Sequence, residues 1–252
     1  MNIFKANPSA RNSVSAVFED KVRIPLSPEE KAHCLAGERP RRMADLTWRI
    51  FRIMSEFVEG FQFLSTTNRE VTIFGSARLQ PGSQWYTAAE DLGRLLGEDG
   101  FTVVTGGGPG VMEAANKGAY EAGAVSIGLN IQLPSEQRTN AYVTRSHAFH
   151  YFFTRKVMMA ASAQAYVYFP GGYGTLDELF EILTLIQTAK SEAVPVVLVG
   201  REYWGGLVAW LDATVYEDFD TIHRDDLRIF QVVDSAVEAF DIIAKSKERT
   251  FF

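Results

Sequence analysis

Two kinds of hydrophobic spacing divide the chain near residue 67. From Ala44 to Leu64 apolar side chains recur at every third or fourth position, which predicts one long amphipathic helix. After residue 68, short apolar runs alternate with segments of helical spacing. We therefore predict a helical extension over residues 1–67 and one α/β domain over residues 68–252. Upstream, Ser27 followed by Pro28 and two acids predicts a further helix start within the extension.

The apolar runs predict six strands and a weaker seventh. Strands are expected at Val71–Phe74, Phe101–Thr105, Ala124–Leu129, Ala165–Phe169, Val194–Val199 and Ile229–Val233, with the weaker one near Tyr142–Thr144. Helices are expected at Gln84–Leu96, Val111–Ala122, Phe152–Ala163, Thr175–Thr188, Tyr203–Ala213 and Ala236–Lys245. This alternation predicts a doubly wound, Rossmann-like parallel sheet with helices on both faces. Ligands of such sheets bind beyond the carboxyl ends of the strands.

Composition narrows the class of protein. The 252 residues include 46% apolar and 22% charged residues, as in an ordinary globular chain. Cys34 is the single cysteine, which excludes a disulfide framework and fits a reducing compartment. Because no apolar run is long enough for a signal peptide or a membrane span, we predict a cytoplasmic protein without a membrane partner. A net charge of −6 argues against a nucleic-acid partner and, taken alone, weakly against an anionic ligand.

A first glycine loop, GGGPG at residues 106–110, follows the second predicted strand. The helix after it would offer N–H groups to an anion, so Gly107 and Gly108 are candidate phosphate-binding residues. A tight turn between strand and helix is the alternative. The loop is not a dinucleotide fingerprint, because Val111 stands where the third glycine is required. No Gly-Lys pair occurs, which excludes a P-loop.

A second glycine loop, PGGYGT at residues 170–175, is more specific. The backbone ahead of the predicted helix carries no side chain at three positions, Gly171, Gly172 and Gly174. A phosphate bound to the N–H groups of this backbone, with the Thr175 hydroxyl as a further donor, explains the three glycines. Alternatively, Thr175 and Glu178 form a capping box that serves the helix alone. If Thr175 instead binds a ligand, Glu178 is free to face that ligand too.

Charge is unevenly distributed around the second loop. Residues 137–176 contain no acid but four cations, Arg138, Arg145, Arg155 and Lys156, and the stretch ends at Asp177 and Glu178. A cationic segment that meets a carboxylate suits an anionic substrate whose transition state is cationic. His147 and His150 could share a helical face, but no carboxylate or cysteine completes a metal set, so we expect no metal.

The two loops and the intervening TRKVMM resemble the LOG ("Lonely guy") family of cytokinin riboside 5′-monophosphate phosphoribohydrolases, which are often mislabelled lysine decarboxylases. The family hallmark Pro-Gly-Gly-x-Gly-Thr-x-x-Glu matches Pro170 through Glu178, with Asp177 where glutamate is frequent. The upstream Arg-Lys-x-x-Met element matches residues 155–159. The resemblance implies hydrolysis of the N-glycosidic bond of AMP or of N6-modified AMP. It also implies a homo-oligomer. We expect no cofactor, because Lys156 lacks the supporting acid or arginine signature of a pyridoxal phosphate site.

The resemblance assigns roles to individual residues of this chain. Arg155 and Glu178 are the expected catalytic pair, and Gly172, Gly174 and Thr175 are expected to hold the phosphate. Expected ribose and base contacts are Glu113, Lys156 and Met159. A carrier that binds a nucleotide or the molybdenum cofactor without cleaving it is the alternative, since such a protein would keep the glycine loops.

Overall fold

A computed structural model describes residues 43–132, 139–161 and 163–248. The helix start predicted at Ser27 and Pro28 lies outside the described residues, as do Cys34 and Arg138. The chain divides into two compact units, Met1–Ile50 and Phe51–Phe252. Of the first unit the structure describes residues 43–50, which are helical. The predicted boundary near residue 67 stays a prediction.

Seven parallel strands form one sheet in the second unit. They are β1 (Glu70–Phe74), β2 (Thr102–Thr105), β3 (Ser126–Ile131), β4 (Arg145–Phe149), β5 (Ala165–Tyr168), β6 (Val196–Val199) and β7 (Phe230–Val233). The strand order is β4-β3-β2-β1-β5-β6-β7, and every neighbouring pair is parallel. The predicted doubly wound sheet is confirmed. Its order reverses between β1 and β5, so a ligand cleft is expected at the carboxyl ends of these two strands.

Helices connect the strands and cover the sheet. They are α1 (Met43–Leu64), α2 (Gln84–Glu98), α3 (Val111–Glu121), α4 (Phe152–Ala161), α5 (Tyr173–Gln187), α6 (Arg201–Trp210) and α7 (Ala236–Ile243). A π-helical segment, Leu211–Asp218, continues α6, and a short 3-10 helix, Arg224–Arg228, precedes β7. The amphipathic helix predicted at Ala44–Leu64 is confirmed by α1. Within the described ranges no helix is both long and apolar enough to cross a bilayer.

Alternate strand residues feed two separate cores. In β1, Val71 and Ile73 belong to the core under α2, α3 and α7, whereas Phe74 belongs to the core on the opposite face. The same alternation places Val167 in the first core and Tyr166 in the second. Burial on both faces explains why these strands read as continuous apolar runs in the sequence. It also fixes the carboxyl ends of β1 and β5 rigidly beneath the cleft.

One strand and one histidine pair were predicted wrongly. The weak strand was expected near Tyr142–Thr144, but the strand in this region is β4, which begins at Arg145. It is an edge strand with alternating exposure, so its polar residues hide the apolar pattern. Because His147 lies within β4, it cannot share a helical face with His150.

Candidate active site

A cavity of about 720 Å³ lies where β1 and β5 diverge. This volume is within the range of small-molecule sites. Two segments form most of its wall: residues 75–78 after β1 and residues 171–176 at the start of α5. The wall is completed by Ile73, Phe74, Gly106, Met112, Arg155, Met159, Glu178 and Tyr203. The cavity therefore occupies the position expected from the reversal of strand order.

Ser76, in the loop after β1, is hydrogen-bonded to the loops that follow β5 and β2 and lines the cavity. Its N–H donates to the Pro170 carbonyl at 3.0 Å, and its carbonyl accepts from Val111 N at 3.1 Å. Gly110 makes this close approach possible: it has φ +71°, and a Cβ there would lie 2.3 Å from the Ser76 carbonyl oxygen. The first N–H of α3 is thus bonded to the protein itself.

The first glycine loop is held by its own neighbours. Gly107 N donates to Thr105 Oγ1 at 2.9 Å, and the Gly107 carbonyl accepts from Asn140 N at 2.9 Å. The Gly108 carbonyl accepts from Asn140 Nδ2 at 3.0 Å. Neither Gly107 nor Gly108 lines the cavity, whereas Gly106 does. The geometry here favours the tight-turn alternative for these two glycines over direct contact with a phosphate.

The second glycine loop presents open backbone to the cavity. Gly172 is the N-cap of α5 and receives no capping side-chain hydrogen bond. Thr175 is the third residue of the helix, so the capping-box interpretation of Thr175 and Glu178 is wrong. Among the described residues no atom lies within 4 Å of a Cβ placed on Gly172 or Gly174. The first N–H groups of α5 have no intrahelical acceptor, and with the helix dipole they suit an anion.

Gly171 is needed for a different reason. A Cβ there would lie 2.1 Å from Thr175 Oγ1, so any side chain would displace the hydroxyl. The Tyr203 hydroxyl donates to the Gly171 carbonyl and fixes the loop from α6. Thr175 is buried, with 7% of its surface exposed. Its hydroxyl is therefore held close to the open N-terminus of α5.

Arg155 and Glu178 meet in the wall of the cavity. Arg155 Nη2 lies 3.8 Å from Glu178 Oε1, and the Glu178 side chain is 8% exposed. Burial raises the pKa of Glu178 to about 7, against the lowering effect of the Arg155 and Lys156 charges. Burial lowers the pKa of Arg155, and Glu178 opposes that change. Arg155 Nε is buried and has no hydrogen-bond partner within the described residues, while the residue itself lines the cavity.

Of the three predicted ribose and base contacts, one lines the cavity and two do not. Met159 is buried and lines the cavity. Lys156 does not line it, because its ammonium pairs with Asp177 at 2.9 Å and with Glu181 at 3.0 Å. Glu113 accepts from the Tyr86 hydroxyl at 3.1 Å and also lies outside the cavity wall.

The cationic segment supplies a single cation to the cavity among its described members. Arg155 lines the wall. Arg145 instead donates to Thr66 Oγ1 at 2.6 Å and lies over the Phe63 ring. Lys156 is neutralised by its two acids. The charge pattern therefore identified the segment that carries Arg155 but overstated the positive charge at the site.

Several cavity residues were missed from sequence, among them Arg78, Met112 and Tyr203. Arg78, in the loop after β1, lines the cavity and pairs with no acid among the described residues. Tyr203 and Met112 complete the wall. The rule that ligands bind at the carboxyl ends of strands could have indicated Arg78, since it follows the first predicted strand by four residues. No motif marks Tyr203.

Fold and site together define a Rossmann-like α/β protein with an open helix N-terminus and an arginine–glutamate pair in one cavity. Comparison with known proteins then identifies its relatives. A family model described as "Possible lysine decarboxylase" matches residues 112–243, more than half of the chain. The cytokinin riboside 5′-monophosphate phosphoribohydrolase LOG of Oryza sativa subsp. japonica is 32% identical over 184 residues, 71% of this chain and 73% of that protein.

Two further proteins extend the comparison. The cytokinin riboside 5′-monophosphate phosphoribohydrolase of Rhodococcoides fascians is 28% identical over 161 residues, covering 62% of this chain and 80% of that protein. The solved structure of the molybdenum cofactor carrier protein MCP from Chlamydomonas reinhardtii has a TM-score of 0.52 and 26% identity, covering 70% of this chain and 96% of that one. The chain belongs to the LOG family, a family of hydrolases that act on N-glycosyl bonds.

Proposed function

We propose that the protein hydrolyses the N-glycosidic bond of AMP or of an N6-modified AMP to give the free base and ribose 5-phosphate. The observation that carries the proposal is the presence of an open helix N-terminus and a buried carboxylate in the same cavity. The names of the relatives support the same class of substrate. A cytoplasmic location stays a prediction from sequence.

The chemistry of the bond explains the need for Glu178. When the C1′–N9 bond breaks, its electron pair leaves with the base and positive charge develops on the ribose. The ionised Glu178 stabilises that charge and accepts a proton from the water whose oxygen adds to C1′. The departing base takes up one proton from solvent, and Glu178 releases the proton of the water back to solvent before the next turnover. A carboxyl whose pKa is about 7 is suited to exchange protons near neutral pH.

The start of α5 would bind the phosphate, away from the bond that breaks. The N–H groups of residues 173–175 and the Thr175 hydroxyl are the donors, and Arg78 supplies a positive charge across the cavity. Binding energy gained there orients the ribose against Glu178. Arg155 lines the cavity and offers its guanidinium to the substrate.

The test uses the full chain with three substrates: AMP, isopentenyladenosine monophosphate and adenosine. Chromatography should detect free base from at least one nucleotide and at least a hundredfold less from adenosine, which lacks the phosphate. The nucleotide with the larger kcat/KM identifies the preferred base. Absence of free base from both nucleotides contradicts the proposal.

Arg78→Ala is expected to raise KM for AMP about tenfold and to change kcat less than threefold, because a charged hydrogen bond to the phosphate is lost in ground and transition states alike. Steady-state kinetics and inhibition by inorganic phosphate measure the effect. Arg94→Ala is the matched control, since Arg94 is an exposed arginine of α2 that pairs with Asp91 and Glu98. An unchanged KM in Arg78→Ala excludes the phosphate role.

We also propose a homo-oligomer, in which a second copy covers apolar side chains of α1 and α4. Met54 and Val58 on α1 and Phe152 and Phe153 on α4 are large and exposed. Exposed apolar patches of this kind mark association surfaces. Light scattering should give a mass of at least twice 28.1 kDa, and Val58→Glu should lower it. A wild-type mass of 28.1 kDa contradicts this proposal.

A carrier of the molybdenum cofactor is the second candidate, and the similarity to the carrier of Chlamydomonas reinhardtii favours it. The same open helix terminus could hold a phosphate of that cargo. Nothing in simple carriage requires a buried carboxylate beside an arginine. Release of a fluorescent pterin from the purified protein, together with no hydrolysis of either nucleotide, would favour the carrier.

A further inference from the structure

Glu56 of α1 is a buried acid outside the cavity. Only 8% of its surface is exposed. Its carboxylate accepts three hydrogen bonds from the chain around the start of α4: from His150 N at 2.9 Å, from Tyr151 N at 3.3 Å and from Thr154 Oγ1 at 2.6 Å. The donors are more than ninety residues away in sequence. A single side chain of α1 therefore fixes the beginning of another helix.

The surroundings of Glu56 explain how a buried carboxylate is satisfied there. In the part of the chain that the structure describes, no lysine or arginine lies within 4.0 Å of its carboxylate. A buried carboxylate is costly unless hydrogen bonds satisfy it. The N-terminal end of α4 satisfies it with backbone and hydroxyl donors, and the helix dipole adds a favourable contribution. Glu56 therefore caps the start of α4 from a distant part of the sequence.

The residues that Glu56 binds lead directly to Arg155. Thr154 precedes Arg155, and its single hydroxyl hydrogen is shared between the Glu56 carboxylate at 2.6 Å and the Tyr151 carbonyl at 2.8 Å. Arg155 N donates to the same carbonyl at 3.3 Å. One turn further along α1, Gly60 lets the helices touch, since a Cβ there would lie 2.6 Å from Met158 Sδ. The C-terminal half of α1 thus supports the turn of α4 that carries Arg155.

We propose that Glu56 is a positioning residue that fixes the start of α4 and thereby holds the Arg155 guanidinium beside Glu178. Glu56 lies outside residues 112–243, which the family model matches. The expected effect of Glu56 on AMP binding and catalysis rests on the proposed function. The expected effect on the start of α4 does not. An arginine displaced by about 1 Å costs up to a hundredfold in rate, so a distant cap can matter to catalysis.

The structural arm measures amide hydrogen exchange in the wild type, Glu56→Ala and Glu56→Gln. In Glu56→Ala the amides of residues 150–156 should exchange at least tenfold faster, with smaller changes elsewhere in the sheet domain. Glu56→Gln keeps one carbonyl acceptor and should give an intermediate result. Glu59→Gln is the control, since Glu59 lies on the same helix and is exposed. Unchanged exchange at residues 150–156 in Glu56→Ala overturns the proposal.

The functional arm is a double-mutant cycle for AMP affinity in the Glu178→Gln background, which requires no turnover. Glu56→Ala and Arg155→Ala should each weaken AMP binding, by about fivefold and about tenfold. Together they should weaken it no more than Arg155→Ala does alone, because Glu56 acts through Arg155. Additive losses overturn the proposal. If the wild type neither cleaves nor binds AMP, the proposed function fails, and hydrogen exchange alone decides whether Glu56 caps α4.

Discussion

Glu178→Gln is expected to lower kcat for AMP about a thousandfold while AMP binding stays within a fewfold of the wild type. Glutamine keeps the shape of the side chain but removes the negative charge and the proton acceptor that the cationic ribose requires, a loss within the range seen for acid–base groups. Chromatography of samples quenched at fixed times measures kcat, and isothermal titration calorimetry measures AMP binding.

Asp177→Asn is the matched control for Glu178→Gln. Asp177 is the preceding residue and is exposed, with its carboxylate paired to Lys156 at 2.9 Å outside the cavity. It should lose less than fivefold in kcat. If Glu178→Gln retains more than a tenth of the wild-type kcat, the carboxylate is not catalytic.

Ionisation of Glu178 should raise the activity of the protein and lower its stability. Because the ionised form is the active one, kcat/KM should fall about tenfold per pH unit below about 7. The folded pKa lies above the ordinary value of 4.5, so the stability contributed by the protonated group is present below pH 4.5 and is lost as the pH rises to about 7. Glu178→Gln should therefore have a higher Tm than the wild type at pH 8 and no such gain at pH 4. An unchanged Tm difference across this range contradicts the raised pKa.

The sequence was sufficient for the architecture because burial on both faces makes these strands continuous apolar runs. It also located the second glycine loop, where Gly172 and Gly174 face open space and Gly171 meets Thr175. The edge strand β4 was not predicted at its true position, because its alternation of polar and apolar residues is short. Local periodicity carries no information on the strand order, and that order places the loop after β1 beside the loop after β5.

The parts of the site that sequence missed depend on packing between distant segments. Arg78 and Tyr203 reach the cavity only because β1, β5 and β6 are neighbours. Conversely, the family resemblance implied that Lys156 contacts the ribose or the base, but successive residues of a helix point in different directions. It therefore meets Asp177 and Glu181 while Arg155 meets Glu178.

Arg155→Ala should lower kcat/KM for AMP by at least a hundredfold, and Arg155→Lys should recover little of it. The planar guanidinium offers several fixed donors, whereas an ammonium offers a single point of charge. Lys156→Ala is the control, because this neighbouring cation pairs with acids outside the cavity. It should lose less than fivefold.

The pH profile separates an electrostatic role of Arg155 from simple loss of folding. Four charged groups act on Glu178: Arg155 and Lys156 of α4 lower its pKa, while Glu181 and Asp177 of its own helix raise it. Without the Arg155 charge the pKa of Glu178 should rise further, so the acid limb of kcat/KM should move to higher pH in Arg155→Ala. Arg155→Lys keeps a positive charge and should move the acid limb less. A misfolded protein would lose amplitude without this displacement. An acid limb that stays at the wild-type pH, in a variant with wild-type Tm, would show that Arg155 does not act on the carboxylate, and its role would then be confined to holding the substrate.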